Sequence, residues 1–314
     1  MPNALPRHQR ASRPPAFRLT PRDRAVIAAV HAYRVLRRDQ IQQLYFPSRN
    51  TANERLKRLY HHGYLARRWL PVEYGQGSGQ ALYLLATKGA SLLAQELGLE
   101  VSEIGWRRSQ NHVSSPFLEH TLMINDVRLA IERASAAHSE PDRYQIETWL
   151  REEELKATPD KVWIETTPGR RRRLALVPDA YFRLAWERKR ASFFLEADRA
   201  TETHGRWRQK VLCYLSYLRS GAYLQRYGSN CLRIITVTSG ERRLANLLDT
   251  TAQACEAGSQ GLFWFATLDD VKPETILEAP IWRVPGEQAL MPLMAPERRE
   301  VLVPSSAPQL LFAA

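Results

Sequence analysis

The chain has 314 residues, 44% of them hydrophobic, with 45 Lys+Arg against 33 Asp+Glu and a formal charge of +12. That apolar content suffices for two modest domains, each with its own core. The polar, proline-rich start PNALPRHQRASRPP and the lack of any long apolar run argue against export or a membrane partner, so a soluble cytoplasmic protein is expected.

The charge is unevenly placed. Residues 1–68 carry 15 Lys+Arg against Asp23, Asp39 and Glu54, a net of +12 that equals the charge of the whole chain. A positive field concentrated in one segment is the electrostatic signature of phosphate-backbone binding, and double-stranded DNA is the expected partner. Residues 1–18 read as a disordered basic arm. Thr20-Pro21 starts a helix as N-cap and first helical residue, with Val26, Ile27, Val30 and Tyr33 on one apolar face. A shorter helix carries Asp39, Ile41, Leu44 and Tyr45 and ends before Pro47. A third begins near Ser48 or Thr51, where Thr51-x-x-Glu54 has the form of a capping box. It buries Ala52, Leu56, Leu59 and Tyr60 and stops at Gly63.

Two short strands, Tyr64 to Leu70 and Ala81 to Leu85, flank a flexible tip at residues 75–79, and a helix follows from Thr87 to Leu97. Three helices, a hairpin and a closing helix spell a winged helix-turn-helix over 19–105, whose third helix enters the major groove while the hairpin touches the backbone. The candidate DNA contacts are Arg49, Asn50, Thr51, Asn53, Glu54, Lys57 and Arg58 of the third helix, with Arg67 and Arg68 of the hairpin. A winged helix used only for protein contacts is the alternative.

Residues 98–111 read as a linker. Phe117 to Ala137 is a long helix; Tyr144 to Leu150, Val162 to Glu165 and Leu174 to Val177 are strands. Thr167-Pro168-Gly169 is a turn bearing the basic run Arg170 to Arg173, which suits either phosphate contact or a solvated hairpin tip. Next come a strand at Tyr181 to Trp186, a charged turn at 187–190, and a second strand at Ser192 to Arg199. The two-residue period puts Phe194, Glu196 and Asp198 on one face. Adjacent carboxylates on an apolar strand repel and lose hydration, and a cation between them would remove that cost. Asp179 can add a third oxygen, and such a cluster suits Mg²⁺ or Mn²⁺. In the next helix Trp207, Val211, Tyr214, Leu215 and Leu218 form the buried stripe, and Lys210 at its edge can reach back to the site. Taken singly, each of these is an ordinary strand-end acid or surface lysine; the set Asp179, Glu196, Asp198 and Lys210 is what suggests a site.

Leu232 to Thr238 is a strand, Arg242 to Ala254 a helix and Leu262 to Ala266 a strand, making an α/β layer over 112–270. Residues 271–314 read as an irregular edge or tail. Cys213, Cys231 and Cys255 read as reduced, packed residues, and the histidines lack metal-ligand spacing. No P-loop or glycine-rich nucleotide pattern is present, so no nucleotide or organic cofactor is expected.

LTPRDRAVIAAV, RLKRLYHHGYL, EHTLMINDV, LVPDAYF and FFLEADRATE resemble the replication-relaxation family of plasmids and other mobile elements, a resemblance that covers most of residues 19 to 255. The second half is also similar to the PD-(D/E)xK nuclease core, that is, to a restriction-endonuclease-like α/β domain. That resemblance implies metal-binding acids at Asp179 and Glu196, and a helix acid at Glu119 or, less well, Asp126. The chain departs from the motif where Asp198 replaces its lysine; some nuclease-like proteins move that lysine to the next helix, where Lys210 stands. The resemblance implies a DNA-binding protein acting in replication or relaxation, with itself as a homodimer and plasmid replication or relaxation proteins as further partners. The alternatives are an active Mg²⁺-dependent endonuclease using Asp179, Glu196, Asp198, Lys210 and Glu119, and a transcriptional regulator whose second domain only dimerises.

Overall fold

The computed structural model describes residues 6, 8–71, 79–137, 144–167, 169–186, 189–256 and 258–294. It is a mixed α+β arrangement in two compact units, Met1–Asn125 and Asp126–Ala314. Most of the expected hairpin tip lies outside the described residues, as do Pro168, Glu187, Arg188 and everything beyond 294.

In the first unit α1 (Pro21–Ala32) begins where Thr20 accepts from the Asp23 amide and the Asp23 carboxylate answers the Thr20 amide, a capping box. Burial pushes the Asp23 carboxyl up, but hydrogen bonds from Arg55 and Thr20 outweigh it and hold it below its ordinary value. A two-residue strand β1 (Leu36–Arg37), too short to show a period, leads into α2 (Arg38–Tyr45) and α3 (Arg49–His61). The N-cap of α3 is Ser48, whose hydroxyl accepts from the Thr51 amide. The capping box expected at Thr51 therefore does not form, because Thr51 is already in the first turn.

Strands β2 (Leu65–Trp69) and β3 (Ala81–Leu85) pair antiparallel, and β1 adds to the far edge of β3. Helix α4 (Thr87–Leu97) closes the unit. It approaches the strand so closely that a Cβ at Gly89 would lie 2.2 Å from the Tyr64 carbonyl oxygen. The core gathers Val26, Ile27, Val30, Leu36, Ile41, Leu56, Leu59, Leu65 and Leu93.

Two expectations fail here, both because polar backbone finds partners. The described part of the supposed disordered arm is held on α3 and β2: Arg10 donates to the carbonyls of Tyr60 (2.9 Å) and Leu65 (3.0 Å), Ala11 donates to His61 Nδ1, and Phe17 stacks on His62. The supposed linker 98–111 also packs back, with Ile104 buried in the core. His31 bonds the Ile104 carbonyl, and Asn111 donates to the Leu85 carbonyl. The division between the units falls instead within α5 (Ser115–Ala137), after Asn125, whose amide donates to the carbonyls of Tyr33 and Val35.

The second unit is built on a five-stranded mixed sheet. Strand β4 (Gln145–Arg151) is followed by a short helix α6 (Glu152–Ala157) and a separate two-stranded ribbon, β5 (Asp160–Thr167) with β6 (Arg170–Leu176). Arg170 to Arg173 thus belong to a strand, not to a turn. Then come β7 (Ala180–Trp186), β8 (Lys189–Asp198), α7 (His204–Arg219), α8 (Ala222–Tyr227), β9 (Arg233–Thr238), α9 (Glu241–Ala254) and β10 (Phe263–Thr267). The sheet order is β10-β9-β8-β7-β4, with β8, β9 and β10 mutually parallel and the other pairs antiparallel.

Period-two alternation on β8 does what it should. Phe194 faces the helices, among Tyr214, Tyr217, Tyr223 and Tyr227, while Phe193 stacks on Phe182. Residues 272–294 are irregular, as expected, yet they are not a loose tail. Trp282 is fully buried, with Ile276, Leu277 and Leu293, and Arg283 and Phe265 exchange two backbone hydrogen bonds of 2.8 Å. Unlike regular elements, that packing leaves no period to read.

Candidate functional site

Two surfaces gather the residues singled out by sequence. On α3, Arg49, Asn50, Thr51, Asn53, Glu54 and Arg58 are exposed and Lys57 is half-buried, while Ala52, Leu56 and Leu59 are fully buried on the opposite face. Arg58 pairs with Glu54 at 2.9 Å, one helical turn apart. Arg55, which sequence reasoning did not single out, turns inward to the Asp23 carboxylate and sits over the Phe17 ring. It ties α3 to the start of α1.

The hairpin arginines are engaged differently. Arg68 donates to the carbonyls of Asn111 (3.2 Å) and Val113 (2.7 Å). Arg67 lies over the rings of Tyr60 (4.1 Å) and Trp69 (5.0 Å). Both are half-buried and bind their own chain.

The second surface lies on β8 and α7. Asp179, just ahead of β7, is clamped to β8: its amide donates to the Leu195 carbonyl (3.1 Å) and its Oδ2 accepts from the Ala197 amide (2.8 Å). Glu196, 1% exposed, accepts from Lys210 Nζ at 2.7 Å and from the Tyr214 hydroxyl. Lys210 and Tyr214 are one turn apart on α7, so a single helix face delivers both donors. Lys210 also lies 3.9 Å from Glu202.

Asp198 leaves the same face of β8 but joins a different set. Arg243 of α9 grips both its oxygens (2.9 and 2.8 Å), the Thr238 hydroxyl donates at 2.8 Å, and the Ala200 amide donates at 3.1 Å. Ala200 holds a left-handed φ of 59°, unusual without a glycine, and its bond to Asp198 fixes that turn. The expected triad of Asp179, Glu196 and Asp198 is therefore not assembled, because Arg243 neutralises Asp198. Among the described residues no three His, Cys, Asp or Glu side chains are gathered to hold a metal ion. Glu119 lies in the part of α5 counted with the first unit; the charged and hydroxyl groups acting on Glu196 are Lys210, Asp179 and Tyr214.

Burial pushes Glu196 up, Lys210 pulls it down, Asp179 pushes it up again and the Lys210 and Tyr214 hydrogen bonds pull it down, leaving the carboxyl raised to about 7. Burial pulls Lys210 down, but Glu196, Asp179 and Glu202 outweigh it and hold the ammonium above its ordinary value. Burial, then Glu196, raise Tyr214 far above the ordinary phenol range, so it stays a donor. The site thus offers an acid that changes charge near neutrality beside a permanent cation. Sequence reasoning missed Tyr214 as a site residue, although its four-residue spacing from Lys210 was the available signal. Arg243 had only its place in the first turn of α9 to announce it.

No helix among the described residues is long and apolar enough to cross a membrane. No curated protein matches the chain. Among solved structures, restriction endonuclease FokI is similar with a TM-score of 0.28 and 9% identity, over 80% of this chain and 42% of its own. The chain spans less than half that protein's length, and a likeness so slight adds nothing to the site. The family model for replication-relaxation matches residues 27–232, about two thirds of the chain. The protein belongs to the replication-relaxation family.

Proposed function

We propose that this is a DNA-binding protein of a plasmid or other mobile element, acting in replication or DNA relaxation. A winged helix-turn-helix in the first unit binds the duplex, and the second unit is a nuclease-like domain. Family membership supports the replication-related role. The observation that carries the DNA reading is α3. Its buried face is complete without Arg49, Asn50, Asn53 and Arg58, which stand exposed, as residues that reach base edges and phosphates must. Arg67 and Arg68, held by their own chain, add positive field more than direct contact.

The second reading, a Mg²⁺-dependent nuclease, is favoured by one observation. Lys210 contacts Glu196 from the following helix, as expected of a relocated nuclease lysine. Mg²⁺ is commonly held by one or two carboxylates, with water completing its shell. Asp179 and Glu196 meet that requirement without Asp198. When bound, the ion would polarise a phosphate oxygen and a water. The chain's own part would be to oppose the protonation of buried Glu196 through the Lys210 and Tyr214 hydrogen bonds, and to leave an ammonium beside the scissile charge.

The test titrates the full chain with duplex DNA at rising salt, then with supercoiled plasmid and Mg²⁺ or Mn²⁺. Wild type should bind with a steep salt dependence, and Arg49→Ala/Asn53→Ala should weaken binding by about tenfold or more with an unchanged melting temperature. Salt-independent binding, or an unaffected double variant, would overturn the DNA reading. Metal-dependent nicking lost in Glu196→Gln would establish the nuclease reading; no nicking with either ion would end it.

A further inference from the structure

The first unit holds a cleft of about 900 Å³ that the α3 face does not use. Its walls come from the end of α3, β2, the start of α4 and the segment 106–113. Arg10, Arg68, Lys88 and Arg108 line it together with three histidines, and no acid among the described residues does. Arg10 and Arg68 are fixed by carbonyls, so two cations are positioned in advance. Lys88 and Arg108 are exposed and make no ion pair among the described residues.

Ala86, Thr87 and Lys88, at the N-terminus of α4, are also in the lining. That helix has no side-chain cap, so its first-turn amides and the positive end of its dipole are left for a ligand. A second, independent observation lies deeper. His61, 4% exposed, accepts from the Ala11 amide at Nδ1. In a neutral ring that puts the proton on Nε2, and Nε2 has no acceptor among the described residues. Burial first, then Arg67 and Lys57, hold His61 below its ordinary value, which keeps the ring neutral. Trp106 likewise lines the cleft, and its buried indole N–H has no acceptor among the described residues. Buried donors without acceptors are costly, and the two residues that carry them both line this basic cleft, which favours an anion there.

We infer that this cleft binds a phosphate-bearing ligand of about nucleotide size. Its volume falls in the range of small-molecule sites, and Trp106 and His112 supply rings for a base to stack on. The same phosphate chemistry could come from a free nucleotide or from the end of a nucleic-acid strand. No glycine-rich phosphate motif announces the site, since its donors come from segments far apart in sequence. It is independent of the α3 reading: none of Arg49, Asn50, Asn53 or Arg58 lines it.

The experiment is calorimetric titration of the full chain with inorganic phosphate, pyrophosphate and ATP, and with a single-stranded oligonucleotide with and without a 5′-phosphate. Wild type should bind at least one of these saturably. Lys88→Glu/Arg108→Glu should weaken that binding by at least about tenfold, and Trp106→Phe by a smaller factor. Arg49→Ala/Asn53→Ala should leave it unchanged. Tighter binding of ATP assigns a free nucleotide; a preference for the 5′-phosphorylated strand assigns a nucleic-acid end. No saturable binding of any probe, or full binding by a folded charge-reversed variant, would overturn the inference. Should that variant not fold, Trp106→Phe and Arg108→Ala decide by the same criterion.

Discussion

Glu196 and Asp198 leave one strand on one face, two residues apart and both buried, yet the regions around them are opposites. Around Asp198 every donor is committed: a bidentate guanidinium, a hydroxyl and an amide leave the carboxylate satisfied. Around Glu196 the compensation is incomplete. Its ammonium is shared with Glu202, Asp179 pushes against it, and burial is nearly total. A fully paired acid holds a structure together. An under-compensated one keeps a proton within reach of neutral pH and has electrostatic reason to accept a cation.

The largest effect expected from this contrast is at Arg243. Arg243→Ala would strand a buried carboxylate and should lower unfolding stability by about 3–5 kcal/mol, read from urea melts. Asp198→Asn in the same background should recover part of the loss, because the uncompensated charge is gone. A loss under about 1 kcal/mol would mean that the pair behaves as a surface ion pair and that the two regions differ less than their geometry implies.

Next in size is the pH dependence at Glu196. Its carboxyl is raised from 4.5 to about 7, so the folded state holds the proton more tightly than the unfolded chain. Glu196's contribution is therefore fully present below about pH 4.5 and is lost as pH rises through 7. Each tenfold gain in proton affinity is worth about 1.4 kcal/mol, so the contribution amounts to about 3 kcal/mol. Glu196→Gln should remove this slope from the melting profile. Mg²⁺ should raise the melting temperature of wild type mainly above pH 7, where the carboxylate is free to bind it, and not that of Glu196→Gln. Identical profiles for the two proteins would make Glu196 as inert as its neighbour.

How much of this was legible in the sequence follows from the range of the interactions. The face shared by Phe194, Glu196 and Asp198, the reach of Lys210 and the core face of α3 all rest on helix and strand periods, and the sequence carries those periods directly. The capture of Asp198 depends on Arg243, 45 residues away, and no local pattern encodes it. The docking of Arg10 on α3 and the return of Ile104 to the first core are likewise long-range. Composition alone made those two segments look like an arm and a linker, since few apolar residues suffice when backbone carbonyls supply the rest. The acid cluster was therefore readable as a set of candidates, but which acid became structural was not.

The smallest expected effect isolates the one neutral donor in the contrast. Tyr214→Phe keeps the ring among Phe194 and Phe263 and deletes only the hydroxyl that donates to Glu196. Loss of a hydrogen bond to a charged group should cost about 1.5–3 kcal/mol where Glu196 is ionised. Below pH 4.5 the cost should be less, because the acceptor is then a neutral acid. The donor lowers the Glu196 pKa, so removing it must raise it. The midpoint of the pH-dependent stability loss should then move above 7, and the Mg²⁺-dependent rise in melting temperature should begin at correspondingly higher pH. Arg243→Ala, which acts on Asp198, should leave that midpoint nearly in place. If Tyr214→Phe leaves the midpoint where wild type has it, burial, Lys210 and Asp179 set the charge of Glu196 without it, and the phenol is a packing group.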